Sequence, residues 1–273
     1  MKKYIFIDID GTLLNSKGEV TEGVKHAIEK AKKEGYQIVL CTGRSIRHSV
    51  RFQEKCQASS LLIVCSGGQI YNSDEKQFIY QVGIPTESVD KLYQLVESFN
   101  IDISFTIEGN DYSNTLDEGN ILLTEENYHT VKTGLISRCA LSSYDFFSIQ
   151  KAKKEILKWG IVEIVNESDD IVQGMPLQKV KKSFIEISAL GTSKGDSILK
   201  VLSLQEGDSY SYAIGNSIND RSMFQAVDCS IAMGNADELT KKSADWVTKG
   251  NDEEGVSYAI ECILNRDKEN ESL

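Results

Sequence analysis

Two aspartates separated by one residue, Asp8 and Asp10, stand before Gly11 and Thr12. Side chains alternate along a strand, so the two carboxylates project together if the strand persists that far. Like charges so close repel, and a divalent cation is the usual remedy. Oxygen ligands alone, with no His or Cys nearby, favour a hard ion such as Mg²⁺. An acidic turn would by itself explain Asp-Ile-Asp-Gly, since Asp and Gly are common turn residues. An EF-hand loop fits poorly. Its Gly is sixth and follows a helix, whereas Gly11 is fourth from Asp8 and follows a strand.

The element that positions these acids is the run Tyr4-Ile-Phe-Ile7. An unbroken β-branched and aromatic stretch suits a strand buried on both faces of a parallel sheet. Gly11 lets the chain turn where a side chain would be strained. Two further buried strands, 37–41 and 61–65, end in Thr42-Gly43-Arg44 and Ser66-Gly67-Gly68. Helices at 21–34 and 45–56 separate them, the first capped by Thr21. Strand, helix, strand implies right-handed crossovers and a parallel sheet, whose ligand edge is the carboxyl one. A hairpin follows at 69–80, then an α+β section with a weak helical pattern at 124–131. The parallel pattern is expected to return at Phe184-Ile-Glu-Ile-Ser188. After it come Lys194 at a helix start and a strand, 209–214, ending in Gly215-Asn-Ser-Ile-Asn-Asp220. A last helix is expected over 254–263, with a frayed tail from Arg266.

The expected fold class is therefore α/β. It has a doubly wound, mostly parallel, Rossmann-like core over 1–82 and 185–273, and an inserted α+β cap domain at 83–184. A net charge of −11 argues against nucleic acid and anionic membrane as partners. The six scattered cysteines, without a Cys-x-x-Cys pair, read as reduced thiols of a cytoplasmic protein.

Four groups are expected at one sheet edge: Asp8 with Asp10, Thr42-Gly43-Arg44, Lys194, and Asn216 with Asn219 and Asp220. This set resembles the motifs of the haloacid dehalogenase-like hydrolases, beginning with Asp-x-Asp-Gly-Thr. Its Cof-type branch is similar also in the Gly-x-x-x-Asn-Asp spacing of 215–220, in Ala232-Met-Gly-Asn-Ala236 and in Asn251-Asp-Glu-Glu-Gly-Val256.

The resemblance implies a phosphatase in which Asp8 is the nucleophile, passing through an aspartyl-phosphate, and Asp10 the general acid and base. It implies phosphate binding by the Ile9 amide, Thr42, Gly43, Lys194 and Asn219. It implies Mg²⁺ on an Asp8 oxygen, the Asp10 carbonyl and the fourth-motif side chain. That last position departs from the family, because Asn216 stands where Asp is usual. Asp220 is then expected to carry more of the metal site, directly or through a water, with lower metal affinity or another preferred ion. The implied substrates are small phosphorylated metabolites, sugar phosphates or phosphorylated cofactors. The cap is expected to exclude water and carry specificity, and the chain to be a monomer or homodimer. A phosphometabolite-binding regulatory module and a sugar-phosphate mutase are the alternatives.

Overall fold

The apolar run after Lys3 becomes strand β1 (Lys2–Asp8), buried from Tyr4 onward. The computed structural model describes residues 1–115, 120–172 and 180–271. Helix α1 (Glu22–Lys33) begins where the Thr21 side chain accepts from the Val24 N–H. It buries Val24, Ala27, Ile28 and Ala31, the stripe expected of a 3.6-residue period. β2 (Tyr36–Cys41), α2 (Ile46–Cys56), β3 (Leu61–Val64) and the hairpin β4 (Gln69–Asn72) and β5 (Gln77–Gln81) follow.

The second stretch holds α3 (Glu87–Phe99), β6 (Asp102–Ile107), β7 (Asn110–Ser113) and β8 (Ile121–Leu122). It continues with α4 (Glu125–Thr133), β9 (Ile136–Ser143), α5 (Phe146–Trp159), β10 (Val162–Val172) and β11 (Val180–Ala189). A capping box between Thr124 and Asn127 starts α4 and makes a helix of its weak pattern. The chain then gives α6 (Lys194–Ser203), β12 (Ser209–Gly215), α7 (Arg221–Gln225) and β13 (Cys229–Ala232). Last come α8 (Glu238–Lys242), β14 (Trp246–Val247) and α9 (Gly255–Glu271).

Two units result, residues 1–79 with 193–273, and residues 80–192. The first is built on an eight-stranded sheet of order β14-β13-β12-β1-β2-β3-β4-β5. Its strands from β14 to β3 are parallel, and β4 turns back antiparallel to β3. Ile5, Ile7, Ile38, Leu40, Leu62 and Ile214 share one buried cluster with the apolar stripes of α1 and α9. Alternate residues Tyr4, Phe6, Val39, Ile63 and Ala213 are buried as well, so the core strands are covered on both faces.

The second unit is a six-stranded sheet of order β10-β11-β9-β6-β7-β8, antiparallel except for β7 with β8. Phe105, Cys139, Leu141, Ile185 and Ile187 pack with the stripes of α3 and α5.

Two expectations need correction. Phe184–Ser188 does not return to the parallel core. It lies in β11, antiparallel to β9 and β10, so residues 185–192 belong to the inserted unit. The physical reason is legible afterwards. Ile185 and Ile187 face the apolar cluster while Phe184, Glu186 and Ser188 alternate with them. Glu186 and Ser188 are buried as well, so the strand is covered on both faces, and what assigns it to the inserted sheet is its pairing with β9 and β10.

The tail from Arg266 is not frayed either, since α9 continues to Glu271. Asp267 anchors it, accepting from the Tyr36 hydroxyl at 2.5 Å and the Tyr212 hydroxyl at 2.6 Å, with Lys3 Nζ at 3.1 Å. Burial works against the Asp267 charge, but these partners hold its carboxyl below the usual carboxylate range. Its contribution is thus present at neutral pH and lost as pH falls through that depressed pKa. Asp267→Ala removes the shared acceptor of two hydroxyls and an ammonium and should cost about 2–3 kcal/mol in urea unfolding, while Asp267→Asn should cost less. A loss below about 0.5 kcal/mol in the alanine variant would contradict the anchor.

Among the described residues no helix is long and apolar enough to cross a membrane. All six cysteines are free thiols.

Candidate active site

Parallel register brings the site together. Asp8 ends β1 beside Cys41 at the end of β2, and Ile7 pairs with Ile214, one residue before the end of β12. The next residues of the flanking strands, Thr42 and Asn216, therefore stand on either side of Asp8. The strand does not persist to Asp10. The chain leaves extended pairing after Asp8, and Gly11 takes φ +76°. A Cβ on Gly11 would lie 2.5 Å from the Asn216 amide, so this glycine is required twice, by conformation and by space.

Asp10 accordingly parts from its neighbour. Asp8 is buried, whereas the Asp10 side chain is 54% exposed. Arg44 grips Asp10 in a fork, Nε to Oδ2 at 2.7 Å and Nη2 to Oδ1 at 2.6 Å. The guanidinium lies 5.3 Å from the centre of the Phe52 ring. Arg44 was visible in the Thr-Gly-Arg run but had no role assigned from sequence.

Lys194 opens α6, where Ser193 caps the helix by accepting from the Asp196 N–H. Its ammonium is 1% exposed and donates to Asp8 Oδ1 at 2.6 Å and Asp220 Oδ1 at 2.7 Å. One cation thus serves two buried carboxylates. Burial pushes the Asp8 carboxyl up, the Asp220 charge adds to this and Lys194 opposes both, leaving Asp8 at about 7. Burial disfavours the Lys194 charge, but Asp220 and Asp8 outweigh it and hold its pKa above the ordinary lysine value. Cys41, next to Asp8, is no rival nucleophile, since burial pushes its thiol up.

Asp220 is fully buried beneath the loop that carries Asn216. Its Oδ1 belongs to Lys194. Its Oδ2 accepts from the backbone N–H groups of Asn216 at 2.8 Å and Ser217 at 2.9 Å, and from Ser217 Oγ. One oxygen thus holds Lys194 and the other shapes the 215–220 loop, so Asp220 positions both. A Cβ on Gly215 would meet the Asp220 side chain at 2.5 Å, which explains that glycine.

The side chain that does reach the acids is Asn216. One terminal atom of its amide lies 2.8 Å from the Asp10 carbonyl oxygen, 2.8 Å from Thr12 Oγ1 and 3.2 Å from Asp8 Oδ2. With the amide oxygen turned there, it stands 2.8 Å from the Asp10 carbonyl and 3.2 Å from Asp8 Oδ2, close to the roughly 2.9 Å between neighbouring ligands of Mg²⁺. The donor set, one carboxylate, one carbonyl and one amide oxygen, fits a hard cation. Among the described residues no three His, Cys, Asp or Glu side chains are gathered for a metal, in keeping with that mixed set.

Thr42 is buried, and its Oγ1 accepts from the Arg44 N–H. Gly43 follows it in the same turn. Asn219 Oδ1 accepts from Ser217 Oγ, which fixes the amide and leaves its NH₂ without an acceptor among the described residues. Ile9 lies between the two acids with its side chain in the core.

Sequence reasoning missed the braces behind this edge. Asn235 Nδ2 donates to the Gly11 carbonyl, Asn251 Nδ2 to the Leu14 carbonyl, and the Asn251 N–H to Asn235 Oδ1. Both asparagines stand in the Gly-Asn-Ala and Asn-Asp-Glu-Glu segments that carry the resemblance.

A family model described as haloacid dehalogenase-like hydrolase matches residues 5–260. Relatives include the 5-amino-6-(5-phospho-D-ribitylamino)uracil phosphatase YcsE of Bacillus subtilis strain 168, 27% identical over 94% of each chain. Phosphatase YwpJ of the same organism is 26% identical over 96% of this chain and all of the relative. Among solved structures, a haloacid dehalogenase-like hydrolase from Bacteroides thetaiotaomicron superposes with a TM-score of 0.79 at 26% identity, covering 96% of this chain and 100% of that one.

Proposed function

This chain belongs to the haloacid dehalogenase-like hydrolases, and from that premise we propose a Mg²⁺-dependent phosphatase of small phosphorylated metabolites. The observation that carries the reading is Asp8, buried between the ammonium of Lys194 and the oxygen cluster of Asp10 and Asn216. The phosphoryl oxygens are held by Lys194, the Thr42 hydroxyl, the Gly43 and Ile9 backbone amides and the Asn219 NH₂. An Asp8 oxygen attacks phosphorus and the bond to the ester oxygen breaks, giving an aspartyl-phosphate. The departing alkoxide takes a proton from Asp10. Asp10 then takes a proton from water, whose oxygen attacks phosphorus, releasing phosphate and restoring Asp8. Because Arg44 grips both Asp10 oxygens, it must yield one of them whenever Asp10 carries the proton.

Asp8, the Asp10 carbonyl and Asn216 would hold Mg²⁺, which supplies charge neutralisation between anionic nucleophile and anionic phosphate. A relative named for hydrolysing a phosphorylated ribityl compound supports a sugar-like phosphate ester as substrate. Six free thiols suit a reducing cytoplasm.

The test is phosphate release from an aryl phosphate and from a panel of sugar phosphates, with Mg²⁺ and with chelator. Asp10→Asn should slow hydrolysis of sugar phosphates by roughly 10²–10⁴-fold. Phosphoenzyme formation from an aryl phosphate, whose leaving group needs no proton, should suffer much less. Equal losses for both leaving groups would remove Asp10 from the acid role.

A further inference from the structure

A carboxamide carries a donor end and an acceptor end, and a half-turn about its last bond exchanges them. At Asn216 that exchange has consequences, because one end faces Asp8 Oδ2, the Asp10 carbonyl and Thr12 Oγ1 together. With NH₂ turned inward its two N–H groups are shared among the three oxygens, all within hydrogen-bond reach at 2.8, 2.8 and 3.2 Å. With oxygen turned inward it faces two acceptors that give it nothing, a carbonyl and a carboxylate. Beyond the single hydrogen bond from the Thr12 hydroxyl, a cation between them is what makes that orientation favourable. Thr12 serves either orientation, since its hydroxyl donates to the amide oxygen at 2.8 Å or rotates to accept from the NH₂.

We propose that Asn216 is a two-position amide, whose NH₂ stands in for the cation at the metal-free site and whose oxygen turns in to ligate the cation when it binds. The inference rests on the metal site proposed above. An aspartate here has no donor and would leave a second carboxylate facing Asp8. The asparagine keeps the metal-free edge ordered and hydrogen-bonded. It also weakens metal binding, since the cation must displace the NH₂ contacts and gains a neutral ligand. Occupancy of the site then follows the free Mg²⁺ level rather than being permanent.

The test uses the full chain and Mg²⁺ alone, read by thermal unfolding and by NMR of the ¹⁵N-labelled protein. The Asn216 NH₂ signals are those that vanish in Asn216→Asp. In chelator they should be protected from exchange, and Mg²⁺ should shift them and speed their exchange. Asn216→Asp should melt below the wild type in chelator, recover with Mg²⁺, and show a Mg²⁺ midpoint about tenfold lower. The inference is overturned if Mg²⁺ shifts the backbone signals of Asp8 and Gly11 while the Asn216 NH₂ stays unmoved. It is overturned too if Asn216→Asp matches the wild type in chelator. If Mg²⁺ moves no signal and no melting temperature in either protein, the metal site itself fails and takes this inference with it.

Discussion

Asp8→Asn should reduce turnover to the background of the assay and yet make the protein more stable above neutral pH. The first half follows from chemistry: the change keeps the shape and removes the charge that attacks phosphorus. The second follows from the site's electrostatics. The folded-state pKa of Asp8 is raised to about 7, with burial as the largest cause. An unfolded aspartate titrates near 3.9.

Below that value both states hold the proton and folding bears no charge cost. As pH rises toward 7 the unfolded chain releases the proton while the folded chain retains it. Stability is lost across this window, in total on the order of 2–4 kcal/mol. Asparagine carries no such charge, and Lys194 keeps Asp220 as its partner. Melting temperatures in chelator at pH 5 and pH 8 check this, with the variant's advantage growing between them. An unchanged or reversed gap would mean that Asp8 is not strained by its burial. The same raised pKa predicts that kcat/KM falls as pH drops through the acid limb, and that Mg²⁺ moves this limb lower by favouring the carboxylate.

Lys194→Met should be the most damaging single change for stability, about 3–5 kcal/mol, and should abolish activity as well. It leaves Asp8 and Asp220 buried together without the cation they share. Should the variant fail to accumulate, Asp8→Asn with Lys194→Met gives the second reading. Removing one carboxylate relieves part of the damage, so the double variant should be more stable than the two separate effects predict, by about 1–3 kcal/mol. Strict additivity in urea unfolding would show that the three groups do not form one electrostatic unit.

What the sequence made legible was whatever local pattern dictates. The apolar runs of β1, β2 and β12 read as buried strands, and their ends at Asp8, Cys41 and Gly215 meet at one edge because parallel neighbours align those ends. Phe184–Ser188 was misplaced because a short strand rich in apolar residues looks alike in either sheet until its partners are known. Asp10 and Arg44 are 34 residues apart, so their pairing came from the turn after β2 and not from spacing. Asp220 looked like a ligand by residue type. Only the loop geometry showed that its oxygens were already engaged by Lys194 and two backbone amides.

The central claim is that phosphate passes through Asp8. The direct measurement is acid quenching during turnover of an aryl phosphate with Mg²⁺, borohydride reduction of the trapped acyl phosphate, and peptide mass spectrometry. The account predicts that Asp8 is recovered as homoserine, more abundantly in Asp10→Asn, where the water step is slowed, and not at all in Asp8→Asn. Steady phosphate release with Asp8 always recovered unmodified, or reduction at another carboxylate, would contradict it.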